Sequence, residues 1–400
     1  MALGGAHKQQ FFCKLLIIHK LNVHVNYLRR ELPAGHARLE KGTAFMLNLL
    51  DIKPLPLATA GLDPVKGEIK SVPEDFVVEE IPAYEPAGEG DFLYLWVEKR
   101  DLSSPYMARS LAKALSIPSM EVGMAGYKDR RSVARQWISV PGHLEKETDK
   151  VEIEGFKILR KSRHSNKLRT GHLHGNQFNI LLRSNMDEQN QQKIKKLVER
   201  VTETGLWNFY GEQRFGKNLE TLKIGLDLLA QDKEASRKPF YLRKLALSAV
   251  QSALFNEVLR LRISNNTHKK VLQGDILCML PQESKCHARN LQEDQARVDQ
   301  GLMAVTGPMQ GWKMYPKPTE EALLMETQVC ESFGFKQDVW KGFGKFLMGA
   351  RRCLVYPILE LNLSFETDGV RLSFSLPAGA YATQLIREIT QQDTAEEPEC

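Results

Sequence analysis

The chain has 400 residues, 42% hydrophobic and 26% charged, an ordinary balance for a globular protein and a length more natural to two domains than to one. With 55 basic against 49 acidic residues the formal charge is +6, which permits a polyanionic partner without requiring one. No apolar run reaches the roughly 18–20 residues of a membrane span. The six cysteines, Cys13, Cys278, Cys286, Cys330, Cys353 and Cys400, are scattered without a CxxC pair, so neither a zinc site nor a disulfide framework follows and a reducing compartment is expected.

In chain order, residues 1–60 read as an N-terminal extension. Lys8, Lys14, Lys20, Arg29 and Arg30 precede the first acid, Glu31, which admits an organellar targeting segment, although Ser is scarce. An upstream extension with Met46 as the working start, or an extra packed element, are the other readings. Phe76-Val77-Val78 reads as a short strand and 92–98 as a stronger one, rich in aromatic and β-branched residues. A helix follows: Ser103 or Ser104 can cap it, Pro105 suits its first turn, Met107, Leu111 and Leu115 recur at helical spacing, and Pro118 stops it. The chain then enters Gly123-Met124-Ala125-Gly126-Tyr127-Lys128-Asp129-Arg130-Arg131, with a strand at 137–140 beyond it. Here one carboxylate stands among cations that stabilise its charge. An isolated Lys-Asp-Arg is usually a surface ion pair; the alternative is a nucleophilic or base-acting Asp129.

Residues 155–186 contain no Asp or Glu but hold Lys157, Arg160, Lys161, Arg163, Lys167, Arg169 and Arg183. This reads as a basic loop carried by a strand at 177–182, a polynucleotide signal, and Lys161, Arg163, Lys167 and Arg169 are its candidates for backbone phosphates. His172 and His174 have no nearby Cys or carboxylate to complete a metal site. Helices are expected at 187–204, 240–263, 320–329 and 382–389, and strands at 274–280, 355–363 and 370–376. Gly342-Phe343-Gly344-Lys345 lacks the full phosphate-loop pattern.

Five separated motifs occur in one order: Lys70-Ser71-Val72-Pro73-Glu74-Asp75-Phe76, Ala125-Gly126-Tyr127-Lys128-Asp129-Arg130, Gly175-Asn176-Gln177-Phe178, Asn208-Phe209-Tyr210-Gly211-Glu212-Gln213-Arg214-Phe215-Gly216 and Leu376-Pro377-Ala378-Gly379-Ala380-Tyr381-Ala382-Thr383. In this ordered set, spanning roughly 61–390, the chain resembles the TruD family of tRNA pseudouridine synthases. The resemblance implies an α+β chain with the pseudouridine-synthase fold, a mixed and mostly antiparallel sheet interrupted by a family-specific α/β insertion. Carried onto this sequence, the catalytic domain occupies 61–224 and 349–395 and the insertion 225–348.

The implied reaction is isomerisation of uridine to pseudouridine in tRNA, at position 13, after the base is flipped from its stack. It exchanges no electrons and hydrolyses nothing, so no cofactor or metal is expected. By resemblance Asp129 and Lys70 are catalytic, and Phe76, Asn208, Tyr210, Tyr381 and Arg130 bind substrate. The family often has Phe where Tyr210 and Tyr381 stand, and each phenol needs a partner if buried. tRNA is the expected partner, other structured RNA a further candidate, and the cytoplasm the expected location. Two other readings share these residues: an inactive RNA-binding protein of the same fold, and a hydrolase pairing Asp129 with Glu74 or Glu212.

Overall fold

Alternating apolar and β-branched residues build one large sheet in the computed structural model, which describes residues 47–392 apart from residue 359. The expectations for the N-terminal 46 residues lie outside the described residues. Strand β1 (Phe76–Pro82) and strand β2 (Phe92–Arg100) enclose more than the short runs read from sequence. Helix α1 (Ser104–Ala114) follows, with the Ser103 hydroxyl accepting from the Tyr106 amide and Pro105 in the first turn. It buries Met107, Ala108 and Leu111. Then come β3 (Gly123–Met124), β4 (Val133–Pro141), β5 (Phe156–His164) and β6 (Leu173–Arg183). The acid-free window is therefore two strands joined by a short connection, not a loop.

Helix α2 (Glu188–Thr204) is capped by the Asp187 carboxylate on the Asn190 amide and buries Ile194, Leu197 and Val201. After β7 (Leu206–Trp207), helices α3 (Glu220–Leu229), α4 (Lys233–Ser236) and α5 (Phe240–Ser264) pack together. Then follow β8 (Ile276–Met279), β9 (Lys285–His287), α6 (Leu291–Asp299), β10 (Met303–Met309) and α7 (Glu320–Ser332). The C-terminal part holds β11 (Ala350–Cys353), β12 (Val355–Tyr356), β13 (Asn362–Glu366), β14 (Gly369–Pro377) and α8 (Ala382–Thr390). The single strand expected at 355–363 is thus two, because Pro357 lacks the amide needed to continue the ladder.

The large sheet has the order β13-β14-β6-β1-β4-β2-β5, with β3 added to β4. Its pairs are antiparallel except β1 with β4. That parallel pairing stops after Glu79↔Arg135, and β3 takes up β4 at Ile138 and Ser139. The two central strands therefore part, and residues 125–131 run back along the wedge between them. A smaller sheet, β11-β10-β8-β9, belongs to a second core. That core includes Phe209, Phe215, Leu254, Phe255 and Leu354, so it draws on residues flanking the 225–348 segment as well as on the segment itself. Cys278, Cys286, Cys330 and Cys353 are free thiols. No helix among the described residues is long and apolar enough to cross a membrane.

Candidate active site

Asp129 ends the segment that crosses the wedge, and three elements hold that segment. The Lys128 amide donates to the Ser104 hydroxyl at the start of α1 (2.8 Å). The Lys128 ammonium meets Glu80 of β1 at 2.9 Å, both side chains buried. Burial pushes the Glu80 carboxyl up, while the Lys128 ammonium and the Trp137 amide pull against that shift. The Asp129 carbonyl accepts from the Ser132 hydroxyl (2.7 Å) and from the Lys99 ammonium.

The cations beside Asp129 in sequence are not its partners. Lys128 turns to Glu80, and Arg130 stands 3.7 Å from Asp101. The partner of the Asp129 carboxylate is Lys70, whose Nζ lies 2.6 Å from Oδ2 and 4.4 Å from the centroid of the Phe76 ring. Lys70 has φ of 59°, in the left-handed region that non-glycine residues rarely occupy. The strained turn is anchored by Asp75, which accepts from the Val72 amide (3.0 Å) and from Arg183 of β6 at 2.7 and 2.9 Å. Burial alone would raise the Asp75 carboxyl; the Arg183 guanidinium and the Val72 and Ser71 amides together outweigh it and hold the group below its ordinary value. Phe76 is 2% exposed and packs edge-on to Phe178, so it lies beside the ion pair as a wall. The Asp129 side chain is 40% exposed, open on the side away from Lys70.

A second group gathers Asn208, Tyr210 and Tyr381 around Arg352. The Arg352 guanidinium donates to the Asn208 side-chain oxygen and to the Gly379 carbonyl (3.0 Å). It lies 4.2 Å over the Tyr210 ring and 5.9 Å from that of Tyr381. Gly379 has φ of +80°, which a side chain would strain. Asn208 also donates to the Cys353 carbonyl (2.7 Å). Tyr210 is buried, its backbone clamped at 2.9 Å in both directions by Asn256, and its phenol directed at the Met309 sulfur (3.7 Å). Tyr381 is half-exposed at the N-cap of α8. Arg214 donates to Ser252 (3.0 Å) and Ser248 (2.5 Å) of α5, tying the Asn208–Gly216 motif to that helix.

Strand register connects the two groups. Lys128 reaches Glu80, Glu80 stands opposite Asn176, and Asn176 stands opposite Leu376, from which the chain leads through Gly379 to Tyr381. The Asn176 side-chain oxygen and the Arg352 Nε are buried without a partner, an unusual condition for buried polar atoms.

Sequence reasoning missed Lys99, Glu80 and Arg352. Leu93, Leu95 and Val97 are all inward positions of β2, so strict alternation puts Lys99 inside as well. Arg352 has a weaker signal, an arginine pair opening a strand. The RNA-backbone candidates are divided. Lys161 pairs with Asp149 (2.6 Å) and Arg163 with Glu145 (2.5 Å), so the absence of acids within the window does not mean their absence around it. Lys167 donates to the Met120 carbonyl, and Arg169 is exposed. Glu74, a candidate second carboxylate, is engaged by Arg100 at 2.6 Å. Among the described residues no group of three or more His, Cys, Asp or Glu could hold a metal ion.

Comparisons with known proteins bear on the family and the fold. The family profile described as tRNA pseudouridine synthase D (TruD) matches residues 56–240 and 234–389. A tRNA pseudouridine synthase D of Thermus thermophilus is 36% identical over 341 residues, 84% of this chain and 91% of that protein. One from Anaeromyxobacter dehalogenans is 36% identical over 352 residues, 86% and 99% of the two chains. The crystal structure of a TruD protein from Methanosarcina mazei has the same fold, with a TM-score of 0.67 at 20% identity, over 85% of this chain and 97% of that one.

Proposed function

The chain belongs to the TruD family of tRNA pseudouridine synthases, and we propose from this premise that it isomerises uridine to pseudouridine in tRNA, at position 13. The observation that carries the residue assignment is the Lys70–Asp129 ion pair at the mouth of the wedge. The reaction breaks the bond between C1′ and N1, turns the uracil, and joins C1′ to C5; the C5 proton is lost and N1 gains one, so atoms and electrons balance. Asp129 is the carboxylate at the ribose, adding to C1′ or taking a proton in a glycal route. As the glycosidic bond opens, its electron pair goes to uracil, and the nearby ammonium groups stabilise that negative charge.

Lys70 orients Asp129, and Phe76 holds Lys70 in place through its ring face. Asn208, Tyr210 and Tyr381 hold the flipped nucleotide, with the Arg352 guanidinium fixing their mutual positions. Arg130, Lys167 and Arg169 serve phosphates, with the acid-paired Lys161 and Arg163 as weaker contributors. tRNA is the substrate, other structured RNA is a further candidate, and the cytoplasm is the compartment.

The test is Asp129→Asn. Pseudouridine formation should vanish in single-turnover assays while tRNA affinity stays within about tenfold, roughly 1.4 kcal/mol. Retained activity removes Asp129 from the chemistry. Release of free uracil by the unsubstituted chain would indicate a hydrolase, and binding without any product an inactive RNA-binding protein.

A further inference from the structure

The N-terminal turns of α5 carry a feature that the isomerisation site does not use. Phe240 and Tyr241 are 61% and 71% exposed, and Leu245, one turn on, is also exposed. Beside them, two other segments bring more aromatic surface. Phe346 packs on Phe240 with ring centroids 4.6 Å apart, under the Arg243 guanidinium at 5.3 Å. The carbonyls of Leu347 and Met348, at the end of a 3-10 helical segment, accept backbone bonds from Trp312 (3.1 Å) and Lys313 (3.0 Å). Close by in the chain stands Tyr315, 86% exposed. Phe240 and Phe346 adjoin, Tyr241 follows Phe240 in the chain, and the backbone bonds of Trp312 and Lys313 bring the segment that leads to Tyr315 alongside Leu347 and Met348; exposed aromatic surface concentrated in this way marks a binding site rather than scattered surface hydrophobicity.

The charge around these rings selects the partner. No Asp or Glu occurs between Asp299 and Glu320, nor between Asp338 and Glu360. Arg237, Lys238 and Lys244 flank the α5 rings, and Lys313, Lys317 and Lys341 the others; all six are exposed. The acids nearest in the chain are Asp232 and Glu234 before α5, Asp338, and Glu320 at the start of α7. Among the described residues none of them pairs with these six cations. Open aromatic faces interleaved with unneutralised cations are the chemistry of single-stranded nucleic acid: bases stack on the rings and phosphates meet the cations. A lipid surface or a second copy of the chain would have no need of that alternation.

The helix itself ties this surface to the site. Its residues Ser248 and Ser252 hold Arg214, while Phe255 and Asn256 hold Tyr210. From Tyr241 to Asn256 the axis covers about 22 Å at 1.5 Å per residue. We infer that the Phe240–Tyr241 end of α5, with Trp312–Tyr315 and Phe346–Met348, is a docking surface for unpaired nucleotides of the RNA substrate, remote from the reacting uridine. It stacks bases on Tyr241 and Tyr315 and grips phosphates through Lys313, Lys317 and Lys244. The inference rests on the RNA reading of the active site, which it extends to a second region of the molecule.

The experiment substitutes Tyr241→Ser, Tyr315→Ser, Lys313→Glu and Lys317→Glu together in the full chain. Affinity for whole tRNA should fall by ~10-fold or more, with a flatter salt dependence. The single-turnover rate at saturating tRNA should stay within about twofold, since the substituted groups touch no reacting atom. A short hairpin bearing the target uridine, too small to reach α5's far end, should lose less than about threefold in affinity. If the fourfold variant melts early, the Lys313→Glu/Lys317→Glu pair, confined to exposed ammonium groups, should still weaken whole-tRNA binding and leave the hairpin unaffected. Unchanged tRNA affinity overturns the inference, as does an equal loss for hairpin and tRNA. A change of oligomeric mass with RNA affinity retained also overturns it, because the face would then join copies of the chain. Should the unsubstituted protein form no pseudouridine in any RNA while the variant still loses tRNA binding, the isomerase reading fails and the docking surface stands.

Discussion

The ammonium of Lys99 donates to the Asp129 carbonyl from a position with no solvent exposure, so its charge acts on the Asp129 loop through little screening. Burial pushes it down from the ordinary 10.5 to about 8; the charge of Asp129 opposes that shift and that of Lys128 adds to it. When Lys99 loses its proton, the positive potential beside the departing uracil weakens. Single-turnover rates should therefore decline above about pH 8, and Lys99→Met should be slower and lack that limb. Stability moves the other way. The folded chain binds fewer protons than the unfolded chain between about 8 and 10.5, so Lys99's contribution to folding rises with pH across that window. A melting series that falls there, or an unaltered limb in the variant, would count against this role. Arg352 makes a separate prediction. Its planar fork serves Asn208 and Gly379 while lying on Tyr210, a combination that an ammonium cannot reproduce. Arg352→Lys should cut the single-turnover rate by about tenfold or more while preserving the fold, as judged by the thermal transition. Full activity would make Arg352 a packing residue only.

At the scale of the element, β5 shows what a linear reading of charge omits. It is an edge strand whose cations discourage pairing with another chain, and the segment just before it supplies Glu145 and Asp149 to two of them. The salt dependence of tRNA binding should divide accordingly. Lys167→Ala/Arg169→Ala should flatten the slope by about 0.7–0.9 for each phosphate left without its cation, and Lys161→Ala/Arg163→Ala by less. Equal slopes for the two double variants would show that the Asp149 and Glu145 pairs do not neutralise their partners. The turn before β1 is governed in the same way from afar. Its left-handed Lys70 is tolerated because Asp75, a few residues on, is gripped by Arg183 from β6.

Across the whole molecule, the two ends of the described chain close on each other. The buried Glu388 carboxylate of α8 accepts from the Ala58 amide (3.1 Å), the Thr59 amide (3.0 Å) and the Thr59 hydroxyl (2.8 Å). These bonds join residues some 330 positions apart, and α8 in turn is capped by Tyr381, beside Arg352. Glu388→Ala strands two buried amides and should cost about 2–4 kcal/mol in a denaturant titration. A loss below about 0.5 kcal/mol would mean that the closure is incidental to folding.

The ordered motifs identified the family and, through that resemblance, the α+β class and Asp129, Lys70, Asn208, Tyr210 and Tyr381 as site candidates, while periodicity marked most strands and helices. Those signals are local: residue type, spacing and alternation survive in one dimension. Partner choice is not local. The sequence neighbours of Asp129 turn to Glu80 and Asp101, and Lys70 arrives from 59 residues earlier. Arg352 reaches Asn208 across 144 residues. Only the tertiary structure decided these pairs, because a charged side chain is committed by the geometry that strand register and burial impose on it, and register between distant segments is not written in either segment alone.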